Sequence, residues 1–168
     1  YDFLEMYLPG CGRSTHTIES YRDTLTLFKR YVTKARGLDI RGFTFKDLSC
    51  DFVFSFLDWL KASGSMVTTR NHRLAGLKSY LDYCAYRNVA IESIANQIEA
   101  VKPYPATKRE KPVLSDTQMS LILNQAPKNR KGRRNAILLL LLYETAARVS
   151  EIANLKVSDL HLNRSEPY

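Results

Sequence analysis

The amino-acid sequence predicts an all-α fold, in which a helical bundle is followed by a second helical part. Apolar residues recur in steps of three and four along most of the chain, which is the spacing of one helix face. The 168 residues include only 7 glycines and 6 prolines, fewer turn-forming residues than a sandwich of many short strands would need. Three of those prolines lie between residues 102 and 113 and divide the helical pattern in two.

The first part opens with a helix expected over residues 15–36. Ser14 or Thr15 can cap its free N–H groups, and Gly37 is a natural stop. The apolar residues of this segment form one stripe, which predicts an amphipathic helix packed on a bundle. The stripe consists of Ile18, Tyr21, Leu25, Phe28 and Val32.

Three further helices complete the expected bundle. The second begins at the Ser49 cap, has Asp51 favourably placed in its first turn, and ends at Gly64. The third runs from near residues 65–68 to about residue 87, and a short fourth covers residues 92–101. The expected core positions are Val53, Phe56, Leu57 and Leu60 in the second helix and Leu74, Leu77, Leu81 and Cys84 in the third.

Residues 102–113 are interpreted as a linker between two domains. Their three prolines forbid a continuous helix, and four basic side chains keep the segment solvated. We therefore expect a helical domain over residues 1–101, a linker over residues 102–113 and an incomplete second domain over residues 114–168. An ordinary surface loop is the alternative. The basic residues are Lys102, Lys108, Arg109 and Lys111.

The second part is predicted to open with a helix at Ser115, where Ser115 and Gln118 match an S-x-x-Q capping box and Leu121 and Ile122 are expected apolar anchors. Residues 128–134 then hold five basic side chains, and the apolar run 136–143 follows at once. Such a run predicts a helix buried on every side. Residues 115–168 are too few to cover it, so we expect the chain to be incomplete.

The formal net charge is +8 and the isoelectric point is near 9.5, which favours a polyanionic partner, nucleic acid before an anionic membrane. The surplus is unevenly spread. Residues 1–100 hold 13 basic and 11 acidic side chains, whereas residues 101–168 hold 12 and 6. A charge that merely maintains solubility is the alternative interpretation.

Several classes of protein are disfavoured by the composition. The three cysteines are far apart and the three histidines lack metal-ligand spacing, so neither a disulfide framework nor a metal site is expected. The longest apolar run has eight residues, whereas a membrane span needs about 20. No signal peptide is visible. We expect a soluble cytoplasmic protein with no cofactor, no membrane partner and no small-molecule substrate.

One stretch, residues 139–160, carries a pattern with chemical meaning. An apolar helix ends, two small residues turn, and Arg148 is presented where a new helix begins. Ser150 and Glu151 lie at that helix start, where a capping residue and an acid are favoured. The planar fork of an arginine suits two phosphate oxygens. Pairing of Arg148 with Glu144 or Glu151 in a purely structural role is the alternative.

This stretch resembles the first conserved box of the tyrosine recombinase (phage-type integrase) family, which reads T-G-x-R-x-S-E, an aliphatic run and a closing Asp. The matching residues here are Thr145, Arg148, Ser150, Glu151, Leu155 and Asp159. The resemblance covers nearly the whole chain. Residues 15–28 resemble the opening of the family's core-binding domain, residues 69–83 its DNA-contacting helix, and residues 113–115 the entry to its catalytic domain.

The resemblance implies a four-helix, SAM-like core-binding domain, a linker and the first helices of a catalytic domain. The implied activity is cutting and rejoining of duplex DNA through a phosphotyrosine intermediate. Arg148 would hold the scissile phosphate and stabilise the transition state, and Glu151 would support that arginine. The family usually has Gly where this chain has Ala146, which suggests an unusual backbone angle there.

The expected partners are double-stranded DNA and further copies of the recombinase. On the third helix, Arg70, Asn71, Arg73 and Lys78 are expected on an exposed face that contacts DNA, with Asn71 placed to read an adenine edge. A solvated polar face is the alternative. The other expected DNA contacts are Lys108, Arg109, Lys111, Arg133 and Arg134.

The resemblance also implies a lysine on a β hairpin, a His-x-x-Arg box, a further His or Trp and a nucleophilic Tyr. We expect these residues further along a longer protein, so this chain alone is expected to be inactive. His161-Leu162-Asn163-Arg164 spells H-x-x-R and Tyr168 follows, but the family's own box lies far downstream of the first arginine, so we reject this match. The competing hypothesis is a naturally short, non-catalytic DNA-binding relative that regulates or blocks recombination.

Overall fold

A computed structural model of the chain describes residues 2–107 and 111–159. The chain divides into two compact units, residues 1–108 and residues 109–168. Every regular element in the described ranges is helical, which confirms the predicted all-α fold. The first unit holds the bundle, and the second holds the helices on either side of Arg148.

The first unit begins with a π-helical turn, Phe3–Tyr7, that runs into α1 (Leu8–Gly10). Its bundle consists of α2 (Thr15–Arg30), α3 (Cys50–Ala62), α4 (Val67–Arg87) and α5 (Glu92–Glu99). A π-helical turn, Tyr31–Ala35, extends α2, and short 3₁₀ turns, Phe45–Asp47 and Val89–Ile91, precede α3 and α5. The four predicted helices are therefore present.

The second unit contains three helices in its described part. They are α6 (Asp116–Asn124), α7 (Arg130–Thr145) and α8 (Val149–Asn154), followed by a 3₁₀ turn, Val157–Asp159.

Helix ends follow the predicted capping residues. The hydroxyl of Ser14 accepts from the Thr17 N–H at 3.3 Å, and that of Ser49 accepts from the Phe52 N–H at 3.2 Å. Ser115 forms the predicted capping box. Gly37 and Gly64 take left-handed φ angles of +64° and +84°, as residues that terminate helices commonly do. Local sequence thus sets where these helices begin and end.

The core of the first unit lies between α2, α3, α4 and α5. Phe56 and Leu57 of α3 and Leu77 of α4 are almost fully buried, and Phe28 meets Phe56 edge to face with ring centroids 5.2 Å apart. The predicted core faces of the second and third helices are confirmed at every position. The buried positions are Val53, Phe56, Leu57, Leu60, Leu74, Leu77, Leu81 and Cys84.

The apolar run of α7 is not buried on every side in the described part of the chain, in keeping with the expectation that residues 115–168 are too few to cover it. Ile137 is 60% exposed and Leu140 is 44% exposed, and the expected anchors on α6, Leu121 and Ile122, are exposed as well. The physical reason is that only two short helices accompany α7 among residues 111–159, so most of its circumference has nothing to pack against.

Within the described residues, no helix combines the length and the apolar character that a membrane crossing requires. The same residues contain no group of three or more His, Cys, Asp or Glu side chains arranged to hold a metal ion.

Candidate functional site

The turn between α7 and α8 adopts an uncommon backbone conformation. Helix α7 ends at Thr145, and the next residue, Ala146, has φ +51° and ψ 21°, in the left-handed region. A side chain is disfavoured there because its Cβ approaches the following carbonyl oxygen. The sequence-based expectation of an unusual angle at Ala146 is confirmed. This turn brings Arg148 directly to the start of α8.

Arg148 is held by Glu151, three residues along. The Arg148 backbone N–H donates to one Glu151 carboxylate oxygen at 2.7 Å, and the guanidinium Nη1 donates to the other at 2.9 Å. Glu151 therefore fixes both the main chain and the side chain of Arg148. Of the two acids considered as partners for Arg148, the observed one is Glu151.

The guanidinium of Arg148 is open to solvent, since its side chain is 83% exposed. The described part of the second unit places no other segment over it. An ion pair this exposed contributes little to folding stability. The rest of the planar fork remains accessible to an anion with two oxygens, such as a phosphate.

Arg70 of α4 is buried rather than displayed. It is 6% exposed, and its guanidinium lies over the ring of Tyr104, 4.7 Å from the centroid. Its Nε has no hydrogen-bond partner among the described residues. Arg70 precedes Leu74 by four residues and Leu77 by seven, so it shares their inward face. The expectation that Arg70 lies on an exposed face is wrong, and this spacing was the signal that could have shown it.

Asn71 also contacts the segment around Tyr104. Its side-chain amide donates to the Tyr104 carbonyl at 2.8 Å and accepts from the Tyr104 N–H at 2.9 Å. Both hydrogen-bonding groups of the side chain are therefore engaged by one residue of the main chain. Such a paired contact competes directly with reading a base edge.

Arg73 and Lys78 are likewise bound within the first unit. The Nη1 of Arg73 donates at 3.1 Å to both the Ser20 carbonyl and the Thr24 hydroxyl, and the side chain is 17% exposed. Lys78 donates to the carbonyl of Glu99 at 2.6 Å. The face expected to be free is thus occupied by contacts that tie α4 to α2 and α5.

In contrast to the basic side chains of α4 described above, those expected to contact DNA in the described part of the second unit are exposed. Lys111, Arg133 and Arg134 are all exposed, and Arg133 and Arg134 lie in the first turns of α7. The side chain of Asn129 caps that helix by accepting from the Gly132 N–H at 2.8 Å. All five basic residues of the segment 128–134 face solvent, and none forms an ion pair within the described part of the chain.

Some expectations fall outside the described residues. These are the DNA contacts at Lys108 and Arg109 and the rejected match formed by His161, Arg164 and Tyr168.

Residues 1–103 match the family description "Phage integrase, N-terminal SAM-like domain", and residues 112–167 match "Phage integrase family". The chain belongs to the phage integrase family. This confirms the resemblance to tyrosine recombinases drawn from the sequence and agrees with the SAM-like, all-α fold expected of residues 1–101.

Several curated proteins named as integrases or recombinases are similar to this chain. A putative integrase/recombinase y4rD of Sinorhizobium fredii is 28% identical over 153 residues, which cover 90% of this chain and 54% of that protein. A tyrosine recombinase XerC of Staphylococcus carnosus is 27% identical, covering 89% and 48%. A tyrosine recombinase XerD of Oceanobacillus iheyensis is 28% identical, covering 96% and 52%.

The chain spans about half the length of the curated relatives that it matches. No solved structure matches it. Arg148 and Glu151 lie in the segment that matches the family's second description, and α4 lies in the segment that matches the first.

Proposed function

We propose that this chain is the DNA-binding, leading portion of a site-specific recombinase that cuts and rejoins duplex DNA through a phosphotyrosine intermediate. Residues 1–101 would form the core-binding domain, residues 102–113 the linker, and residues 114–168 the start of the catalytic domain. The observation that carries the proposal is the geometry of Arg148, an exposed guanidinium fixed by Glu151 inside a segment that matches the phage integrase family.

In this proposal Arg148 holds the scissile phosphate. Its contact with Glu151 uses Nη1, which leaves the remaining N–H groups of the fork for two phosphate oxygens. Negative charge grows on those oxygens as the phosphorus becomes five-coordinate, so a fixed cation stabilises the transition state more than the ground state. Glu151 is a positioning residue because it restrains Arg148 and has no proton-transfer role.

The phosphate contacts that provide affinity are assigned to exposed cations. The segment 128–134 places positive side chains at the N-terminal end of α7, where they oppose the helix dipole and disfavour the helix. A nearby phosphate backbone would reverse that unfavourable interaction. We place DNA contacts at Arg133, Arg134 and Lys111 and extend them to Lys108 and Arg109. The internal contacts of Arg70, Asn71, Arg73 and Lys78 favour a structural role for those residues.

Binding is tested with this chain and a random-sequence duplex by fluorescence anisotropy between about 50 and 200 mM salt. The logarithm of the association constant should fall linearly with the logarithm of salt concentration. Arg133→Ala and Arg134→Ala should each reduce that slope by about 1. Lys61→Ala, at an exposed end of α3, is the matched control and should leave it unchanged. Absence of binding at the lowest salt would reject the DNA-binding proposal.

The catalytic role is tested in a protein that carries this chain together with a complete catalytic domain. Arg148→Ala should lower strand cleavage on the order of a hundredfold or more, with duplex affinity changed far less. Arg148→Lys keeps the charge but loses the fork, so cleavage should be intermediate. Cleavage at the wild-type rate in Arg148→Ala would remove the catalytic assignment.

The competing hypothesis of a naturally short, non-catalytic relative is tested by reading the gene past the codon for Tyr168. A reading frame that supplies a lysine hairpin, a His-x-x-Arg box and a tyrosine supports the recombinase. A stop codon there supports the regulator.

A further inference from the structure

The main chain that leaves α5 is fastened back onto α4. Val101 is 4% exposed and packs with the core of the first unit. Three residues later, the N–H and the carbonyl of Tyr104 are both bonded to the side chain of Asn71. The segment 101–104 is therefore held at two points, although it belongs to no helix.

The Tyr104 ring is held from the same side of α4. The guanidinium of Arg70, the residue before Asn71, lies 4.7 Å from the ring centroid. Because Arg70 is 6% exposed, this cation–π contact is shielded from water, which strengthens it. Arg70, Asn71 and Tyr104 together are called the Tyr104 latch below.

The sequence on either side of Tyr104 suits a latch. Pro103 and Pro105 have no N–H, so Tyr104 supplies the only main-chain donor of the three residues, and Asn71 accepts from it. The prolines also restrict the main chain of this segment to extended conformations before it docks on α4. The entropy lost when the segment is fixed is correspondingly smaller.

We propose that Arg70 and Asn71 are positioning residues which, by holding Tyr104, set the point from which the tether to the second unit leaves the first unit. The inference rests on the proposed function insofar as the placement of the second unit on DNA is what the latch would serve. Arg70 and Asn71, which the sequence analysis predicted to contact DNA, would instead hold Tyr104.

The size of the effect follows from chain geometry. With the latch closed, the last residue that these contacts hold against the first unit is Tyr104, and with the latch open it is Val101, three residues earlier. Three extended residues span about 10 Å. Successive base pairs are about 3.4 Å apart along the duplex, so an open latch would allow the second unit to move by about three base pairs.

The first experiment measures the latch itself by NMR relaxation of the full 168-residue chain. The Tyr104 amide should have an order parameter near 0.85, as in a helix, and in Asn71→Ala it should fall below about 0.6. Asn96→Ala, at an exposed position of α5, is the matched control and should leave Tyr104 ordered. A mobile Tyr104 in the wild type, or an ordered one in Asn71→Ala, would overturn the proposal.

The second experiment measures positioning, which a merely structural role of Asn71 would not change. Cys11 and Cys50 are replaced by Ser and Cys84 by Ala, and spin labels are attached at Lys61→Cys on α3 and Asn124→Cys on α6. Pulsed dipolar spectroscopy then gives the distribution of distances between the units. Asn71→Ala should broaden the distribution and extend its long edge by about 10 Å.

A second variant, Tyr104→Ala, leaves the sequence of α4 unchanged, so a defect in the folding of α4 cannot explain its effect. It removes the ring that Arg70 contacts and should also broaden the distance distribution towards longer distances. Tyr104→Phe keeps the ring and the main-chain bonds and should match the wild type. A distribution unchanged in both Asn71→Ala and Tyr104→Ala would refute the latch. Neither experiment contains DNA. Failure of the latch in these experiments is therefore distinguishable from failure of DNA binding in the anisotropy measurement.

Discussion

Ala146 occupies a backbone conformation that an alanine adopts at a cost. Its φ of +51° places the Cβ against the main chain, which disfavours an L-residue by about 1–2 kcal/mol. The conformation is retained because the turn must end α7 and start α8 at Arg148 within three residues. The strain is therefore stored next to the proposed phosphate-binding side chain, where strained residues often occur.

Replacing Ala146 with Gly should stabilise the second unit. Relief of the left-handed strain outweighs the larger entropy of glycine in the unfolded chain, so we expect a gain of about 0.5–1 kcal/mol. Hydrogen exchange of the last amides of α7 should slow correspondingly. The matched control is Ala147→Gly, because the neighbouring residue is not left-handed, and it should destabilise the turn. Faster exchange in Ala146→Gly would contradict the strain argument.

The raised pKa of Tyr80 predicts that the folding stability of the first unit depends on pH. Burial, followed by the neighbouring Cys84, raises the pKa of Tyr80 to about 12 from an ordinary value of 10.0. The unfolded chain then loses this proton at lower pH than the folded chain does. The stability contributed by neutral Tyr80 is fully present below pH 10 and is lost as pH rises towards about 12.

The measurement is urea unfolding at several pH values between 9 and 12. Tyr80→Phe should lose less stability across this range than the wild type, because phenylalanine has no proton to release. Tyr86→Phe, at a side chain that is 83% exposed, should follow the wild-type curve. Parallel curves for Tyr80→Phe and the wild type would disprove the linkage.

At the scale of single elements, features set by neighbouring residues were predictable and features set by distant ones were not. The caps at Ser14, Ser49 and Ser115 depend on residues three positions away, as does the pairing of Arg148 with Glu151. The bond between Asn71 and Tyr104 joins residues 33 apart, and no helix period reveals it. Polar faces on a helix are therefore poor predictors of exposure where another segment lies across them.

The start of α7 depends on Gly132. A Cβ there would overlap the carbonyl oxygen of Pro127, which also accepts from the Asn129 N–H at 2.8 Å. Gly132→Ala must displace main chain, and overpacking of this kind typically costs about 1–3 kcal/mol. Hydrogen exchange in the first turns of α7 should accelerate. Gly10→Ala is the control, because a Cβ at Gly10 meets nothing within 4 Å. Unchanged exchange in Gly132→Ala would show that the turn before α7 adapts.

Over the whole molecule, charge and contacts are distributed differently in the two units. In the first unit Arg22, Arg73 and Lys78 are paired with acids, so part of its positive charge is neutralised within the unit. In the second unit the cations of segment 128–134 have no such partners among the described residues, and acids are scarce. The part of the sequence with the larger surplus of basic residues therefore also contains the exposed cations of segment 128–134. This arrangement suits a polyanionic partner.

The division into units 1–108 and 109–168 predicts where a protease acts first. Trypsin cuts after Lys and Arg but not before proline, so it does not cut after Lys102 or Lys111. The first cleavage should therefore occur after Lys108 or Arg109. Saturating duplex DNA should slow this cut if the segment contacts phosphates, and added salt should restore the rate. The measurement is mass spectrometry of timed digests with and without duplex. A first cut inside α2 or α4 would contradict the two-unit organisation, and a cut that duplex never slows would place the DNA contacts away from the linker.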